Sequence, residues 1–195
     1  CQRDNIRREL GLSDKFVIGY TGSYQKWHGL DRTIEVAERL AAQEDDYHFI
    51  LIGDGVGYES ISERIREKGL GQMFTQIKAL PHAQMPRHLS AFDCALMTYP
   101  KLDGFYFSPL KMFEYMAMEV PVISTAIGQI AEIIDNGQTG LLVEEETAEA
   151  YVQALLENRT KLRDIGARGR QLMKAAYSWR KNAERVTAAA EQALT

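Results

Sequence analysis

Six short apolar segments recur along the chain, each followed by a stretch with helical periodicity, and this alternation limits the possible folds more than any other feature. The segments carry apolar residues in succession, which is typical of parallel strands that helices cover on both faces. The alternation predicts a doubly wound α/β fold with a parallel six-stranded sheet and additional helices at the C-terminal end. The predicted strands are residues 16–20, 48–52, 73–79, 93–98, 121–124 and 140–143.

Length, charge and cysteine content narrow the possible functions. The 195 residues are enough for one domain, residues 1–195, with a full hydrophobic core. The 23 Lys and Arg stand against 27 Asp and Glu without any basic run, which argues against nucleic acid or a membrane surface as a partner. No apolar run approaches the ~20 residues that cross a bilayer, and no signal peptide is visible. Cys1 and Cys94 make no disulfide framework, so we expect a reducing, cytoplasmic location.

A polar pair stands out in the helix predicted for residues 108–117. Ser108 is a good N-cap, and Pro109 suits the first helical position, where its missing N–H has no cost. Lys111 and Glu114 are three residues apart and share one side of the helix. The opposite side is predicted to be an apolar stripe of Leu110, Phe113 and Ala117, widened by Met112 and Met116.

Lys111 lies in the first turn of this helix, where the helix dipole favours anions over cations. A phosphate bound at the exposed N–H groups would compensate, because helix N-termini are natural anion sites. The alternative is a core helix with two solvated polar residues. Both interpretations stay open on these residues.

The loops after the first five strands are the candidates for a ligand site, since ligands of doubly wound sheets bind beyond the carboxyl ends of the strands. The first loop, residues 19–29, contains glycines that let a ligand approach the backbone, and it leads into a helix N-terminus. Neither this loop nor residues 53–57 fits G-x-G-x-x-G, so dinucleotide binding has weak support. Without further context, Trp27 and His28 are interpreted as a surface aromatic and a capping imidazole.

Two later loops have compositions that suit a ligand as well as an ordinary connection. Ala79, Leu80 and His82 follow the third strand and either close over a flat base through backbone hydrogen bonds or simply link strand to helix. Residues 99–106 are aromatic and suit stacking on a sugar or a base, or form a hydrophobic lid on the core. No Asp-x-Asp pair, Cys/His cluster or G-x-S-x-G segment occurs, so we expect no dedicated metal site and no serine hydrolase.

Taken together, several segments resemble the C-terminal domain of retaining glycosyltransferases of family 4, which have the two-domain GT-B fold. The resemblance extends over about residues 15–190, and Ser178-Trp179 is similar to the family's closing motif. It implies a Rossmann-like donor-binding domain, an acceptor-binding N-terminal domain absent from this chain, and a crossover helix at about residues 178–195. The matching segments are residues 17–22 (VIGYTG), 50–55 (ILIGDG), 113–123 (FEYMAMEVPVI) and 136–143 (NGQTGLLV).

The resemblance also implies roles for individual residues. Glu114 is in the position of the glutamate that binds the ribose hydroxyls of a nucleotide sugar, and Tyr106 replaces the family's first glutamate at a position that contacts the sugar. Ser23 and His28 replace the family's usual Arg and Lys. Lys111, His28 and Lys26 are therefore expected to neutralise the charge of the diphosphate together. The implied phosphate-binding residues are Gly22, Ser23, Lys26, His28, Ser108, Pro109, Leu110 and Lys111, and the base-binding residues are Ala79, Leu80 and His82.

The implied reaction is transfer of a sugar from a nucleotide-sugar donor to an acceptor hydroxyl with retention at the anomeric carbon. No catalytic nucleophile is identified, and neither a cofactor nor a metal is expected. The acceptor is a carbohydrate or a lipid, with peripheral membrane association through the absent N-terminal half. The fragment alone is expected to bind donor without turning it over. The alternatives are a non-catalytic nucleotide-sugar-binding domain and a nucleotide-sugar epimerase of the same architecture.

Overall fold

A computed structural model describes residues 2–43, 46–101 and 108–193. Its centre is a six-stranded sheet in which every neighbouring pair of strands is parallel, in the order β3-β2-β1-β4-β5-β6. This order reverses direction at β1, which is the mark of a doubly wound sheet, and it confirms the predicted fold class. The strands are β1 (Phe16–Thr21), β2 (Tyr47–Ile52), β3 (Phe74–Ile77), β4 (Cys94–Met97), β5 (Val122–Thr125) and β6 (Leu141–Val143).

Helices follow the strands and cover both faces of the sheet. Short 3-10 turns at Lys26–His28, Gly71–Met73, His82–Gln84 and Arg159–Lys161 complete the connections. None of the described helices is long and apolar enough to cross a membrane. The α-helices of the described chain are α1 (Gln2–Glu9), α2 (Leu30–Leu40), α3 (Tyr58–Glu67), α4 (Met85–Leu89), α5 (Leu110–Ala117), α6 (Gly128–Ile133), α7 (Ala148–Asn158), α8 (Leu162–Ala176) and α9 (Trp179–Ala193).

The hydrophobic core lies in two layers, one on each face of the sheet. Successive side chains of β1 point to opposite faces, so Val17 belongs to one layer and Ile18 to the other. The layer that contains Ile18 is closed by α2, α3 and α7, and the layer that contains Val17 is closed by α1, α4, α5, α6 and α8. Strands β1, β2, β4 and β5 are therefore buried on both sides, which explains why their apolar segments are continuous, whereas the edge strand β3 is only partly buried.

Helix α5 begins later than the sequence predicts. Its first residue is Leu110, and Pro109 occupies the N-cap position without a capping side chain. Ser108 is not the N-cap, because its hydroxyl donates a hydrogen bond of 2.7 Å to the Gln129 side chain on α6. The start of α5 is thus tied to a neighbouring helix, and its first N–H groups face the carboxyl edge of the sheet without a side-chain cap.

The buried face of α5 also differs from the predicted apolar stripe. Met112, Tyr115 and Met116 face the sheet and are fully buried, whereas Leu110 is 65% exposed and Ala117 is exposed as well. Tyr115 takes an inward position because its hydroxyl has a polar partner, the Thr21 N–H at 2.6 Å. Met112 and Met116 thus lie on the buried face as predicted, whereas Leu110 and Ala117 do not, because hydrophobicity alone could not show that Tyr115 has a buried polar partner.

Two glycines bring the loops after β1 and β2 into contact at the carboxyl edge of the sheet. The Gly22 N–H donates to the Ile52 carbonyl at 2.9 Å, so the ladder continues into the first loop. Gly53 has φ 151°, and a Cβ added there would lie 1.9 Å from the Gly22 carbonyl oxygen. Only glycine fits at residue 53, because both the backbone angle and the contact exclude a side chain.

We expect Gly53→Ala to lower the free energy of unfolding by about 3 kcal/mol, through backbone strain and displacement of the first loop. Gly69→Ala is the matched control, since Gly69 also has positive φ, 69°, but has no heavy atom within 4 Å of an added Cβ. The control should lose only about 1 kcal/mol. Urea denaturation of both variants measures the difference, and equal losses would contradict the packing role of Gly53.

Candidate functional site

A cleft of about 550 Å³ opens at the carboxyl edge of the sheet. Its walls come from the loops after β1, β2, β3 and β4 and from the first turns of α5. This is the edge where the strand order reverses and where doubly wound proteins bind their ligands. The lining includes Ala79, Leu80 and Glu114 among the predicted site residues, and from the predicted phosphate-binding set Gly22, Ser23, His28, Ser108, Pro109, Leu110 and Lys111.

Three predicted residues stand apart from this lining. Lys26 is exposed in the turn Lys26–His28 and does not line the cleft. His82 is also outside the lining, with a side chain 86% exposed, but its Nε2 lies 3.6 Å from Glu114 Oε1. Tyr106 falls outside the described residues.

Lys111 places its amino group at the bottom of the cleft, against the first loop. A Cβ added to Gly22 would lie 2.6 Å from Lys111 Nζ, so the ammonium group occupies the space that the missing side chain leaves. Nζ donates to the Tyr20 hydroxyl at 3.2 Å and lies 4.3 Å from the centre of the Tyr20 ring and 5.6 Å from that of Tyr99. The cation is thus held between two aromatic rings in the middle of the cleft.

This enclosure changes the protonation of Lys111. Burial lowers the pKa of its ammonium group to about 7, although the nearby Glu114 carboxylate acts in the opposite direction. The side chain is therefore less completely protonated at neutral pH than a lysine in water. An anion in the cleft would favour the charged form and raise this pKa.

His28 is neutral at physiological pH. Its Nδ1 lies 2.6 Å from the Ser23 carbonyl oxygen, which can only accept, so Nδ1 carries the proton and Nε2 carries a lone pair. Burial, and secondarily the charge of Lys111, lower the pKa of His28 to about 4 against the opposing effect of the Ser23 carbonyl. The predicted role of His28 as a cation at phosphate thus requires that a bound anion raise its pKa.

Glu114 lies one helical turn beyond Lys111 on the same side of α5 and lines the same cleft. Its side chain is 40% exposed, and its carboxylate faces the cleft rather than the core. The cleft therefore presents a cation and an anion on one helix, with Lys111 towards the glycine loop and Glu114 towards His82. This arrangement fits a ligand that has an anionic group next to neutral hydroxyl groups.

Several lining residues were not predicted. Trp27 was interpreted as a surface aromatic, but it lines the cleft with 45% of its area exposed. Met85 and Asp54 line it as well, and the only signal for them in the sequence was their place after a strand. Tyr99 also lines the cleft, and it belongs to the aromatic loop of residues 99–106 that was predicted to suit a ligand. The Asp54 carboxylate accepts a 2.8 Å hydrogen bond from the Gly55 N–H, which lowers its pKa. Within the described ranges no three His, Cys, Asp or Glu residues are grouped as metal ligands would be.

Comparisons with known proteins identify relatives of this chain. Alpha-D-kanosaminyltransferase from Streptomyces kanamyceticus is 25% identical over 184 residues, which are 91% of this chain and 46% of that protein. The lipopolysaccharide core biosynthesis mannosyltransferase LpsB from Rhizobium meliloti is 27% identical over 179 residues, 86% of this chain and 49% of that protein. The chain therefore spans about half the length of the curated relatives it matches.

Solved structures share the fold. The Anabaena protein HepE, in complex with UDP and glucose, has a TM-score of 0.83 at 17% identity, covering 98% of this chain and 52% of its own. The C-terminal domain of a glycosyl transferase group 1 family protein from Francisella tularensis has a TM-score of 0.76 at 24% identity, covering 91% and 93%. The model of the family described as glycosyl transferases group 1 matches residues 2–172. The resemblance in the sequence motifs is thereby confirmed at this level, and the chain belongs to the group 1 glycosyltransferases.

Proposed function

We propose that the cleft binds the nucleoside diphosphate part of a nucleotide-sugar donor. The observation that carries the proposal is the meeting of the Lys111 amino group, the Gly22 backbone and the Glu114 carboxylate in one cleft at the carboxyl edge of the sheet. We further propose that the protein containing this chain transfers the sugar to an acceptor hydroxyl with retention at the anomeric carbon, as in glycosyltransferase family 4.

The diphosphate in this proposal lies between the first loop and the start of α5. The N-terminus of α5 has no side-chain cap, the positive end of its dipole attracts an anion, and Lys111 supplies a charge beside it. Gly22 lets a phosphate approach the backbone of the first loop, next to Ser23 and His28. Lys26, which is exposed outside the cleft, contributes from a greater distance.

The nucleoside lies on the other side of Lys111. The Glu114 carboxylate accepts hydrogen bonds from the two ribose hydroxyls, and the exposed His82 imidazole lies 3.6 Å from it on the side of the base. Ala79 and Leu80 line the cleft beside them and hold the base through backbone groups and apolar contact. Catalysis then consists of binding the leaving diphosphate and stabilising its developing charge, for which no metal or other cofactor is invoked.

Acceptor binding is assigned to the longer protein that contains this chain. We propose that an N-terminal domain binds a carbohydrate or lipid acceptor and carries any peripheral contact with a membrane, and that residues 178–195 cross over to it. The protein is assigned to the cytoplasm, where nucleotide sugars would reach it. The UDP and glucose seen in HepE make UDP the first nucleotide to test.

Calorimetric titration with UDP, GDP and ADP should identify one nucleoside diphosphate that binds. The 2′,3′-dideoxy form of that nucleotide should bind about 10-fold or more weakly, because hydrogen bonds to a charged group contribute about 1.5–3 kcal/mol. Glu114→Gln should abolish most of this discrimination, since the amide is a weaker acceptor. Glu132→Gln, on an exposed residue outside the cleft lining, is the control and should behave as the parent.

Equal affinity of the parent for the ribo and dideoxy nucleotides would contradict the role of Glu114. Failure of all three nucleotides to bind would contradict the proposed function itself.

The affinity for a nucleotide sugar should depend on pH through Lys111. Its amino group is charged below the pKa of about 7, and a bound diphosphate requires the charged form. Affinity should therefore be high below pH 7 and fall up to about tenfold per unit as the pH rises above it. Nucleotide sugars suit the measurement because their diphosphate has the same charge across this range.

Lys111→Arg provides the matched control, because a guanidinium group stays charged and should remove this pH dependence. Lys111→Met should bind weakly at every pH. An unchanged pH profile in either variant would contradict the role of Lys111.

Sugar transfer should require more than this chain. The 195-residue chain should bind donor but release no free nucleoside diphosphate beyond the rate of spontaneous hydrolysis when an acceptor is added, because the acceptor in this proposal binds to an N-terminal domain outside these residues. A coupled assay for released nucleoside diphosphate measures this. Acceptor-dependent release by the chain alone would contradict the proposal.

A further inference from the structure

Trp27 is a large aromatic side chain in the cleft that the proposed function leaves without a role. It lies in the turn Lys26–His28, is 45% exposed and lines the cleft. One side of its indole contacts the His28 imidazole, with ring centres 5.9 Å apart and the planes at 63°. The His28 ring is held in turn by the Ser23 carbonyl, so the indole is braced while much of its surface faces the cleft.

Trp27 lies at the end of the cleft opposite to the predicted base site. Gly29, two residues further on, packs so closely on the end of β4 that an added Cβ would lie 1.8 Å from the Thr98 carbonyl oxygen. The His28 ring also contacts Tyr99, with centres 5.6 Å apart. The Trp27 turn therefore adjoins the loop after β4, whereas Leu80 and the rest of the base site follow β3.

The strand order gives the distance along the cleft between the loop after β3, which holds Leu80, and the loop after β4, which adjoins Trp27. From β3 to β4 the sheet advances by three strands, which is about 14 Å at the usual strand spacing. Lys111 and Gly22 lie between the two ends, near the end of β1. A donor whose base is beside Leu80 and whose diphosphate is at Lys111 consequently extends its sugar towards Trp27.

The chemistry of an indole suits a sugar ring. One face of a pyranose presents C–H groups with small positive partial charges, and the face of an aromatic ring is negative. Burying the exposed area of Trp27 against that face also removes apolar surface from water. We propose that Trp27 is the platform on which the sugar ring of the donor stacks. The inference rests on the proposed function and adds a residue that selects for the sugar rather than for the nucleotide.

Fluorescence can follow this contact because the chain has two tryptophans, Trp27 and Trp179. Trp179 is 86% exposed on α9, away from the cleft lining, so Trp179→Phe leaves Trp27 as the single reporter. In that variant, UDP-glucose, GDP-mannose or ADP-glucose should change the emission of Trp27, and the corresponding UDP, GDP or ADP should change it far less.

Substitution of Trp27 separates the sugar from the nucleotide. By titration calorimetry, Trp27→Ala should bind the matching nucleotide sugar about fivefold more weakly and leave the affinity for the nucleoside diphosphate unchanged. Trp27→Phe keeps an aromatic face and should retain most of the affinity. It also shows that the site tolerates replacement of the indole.

Each other outcome overturns the inference. If Trp27→Ala binds the nucleotide sugar as the parent does, or loses affinity for both ligands equally, the indole does not hold the sugar while the proposed nucleotide site remains. If the parent binds no nucleotide, both the inference and the proposed function fail.

Discussion

The contact between α5 and the loop after β1 is the constraint on which the cleft depends. The Tyr115 hydroxyl accepts the Thr21 N–H inside the core, and four residues earlier the Lys111 amino group fills the space beside Gly22. These two contacts fix the helix against the end of the central strand. Glu114 is positioned as a consequence, because it shares the outer side of α5 with Lys111. A shift of one residue in this helix would remove all three groups from their places.

The two basic side chains of the site, Lys111 and His28, are held firmly in position but carry less positive charge than they would in water. Lys111 is held at its place by Tyr20 and Tyr99 at the cost of part of its charge, and His28 is oriented by Ser23 in a neutral form. A bound anion would raise the pKa of both Lys111 and His28, so each side chain would gain positive charge when the ligand binds. Ser23 and His28 are thereby parts of one arrangement, in which the imidazole is already oriented before any anion binds.

The sequence predicted those features that depend on local pattern and missed those that depend on distant neighbours. Continuous apolar segments predicted all six strands, although the third and fourth are shorter than expected. The start and inward face of α5 were wrong because Gln129 and Thr21, neither of them in the helix, decide them. That Glu114 and Lys111 share one side of α5 was predictable from their spacing. The burial of Lys111 was not predictable, because Tyr20 comes from β1 and Tyr99 from the loop after β4.

The lowered pKa of Lys111 also has a consequence for covalent chemistry. An uncharged amine is a nucleophile, and burial lowers the pKa of Lys111 to about 7, so the uncharged form is accessible at neutral pH. Among the lysines of this chain, the one beside Gly22 is thus disposed to attack acylating reagents small enough to enter the cleft. Mild acetylation followed by peptide mass mapping would detect the modified Lys111, and a ligand bound in the cleft would protect Lys111 from acetylation.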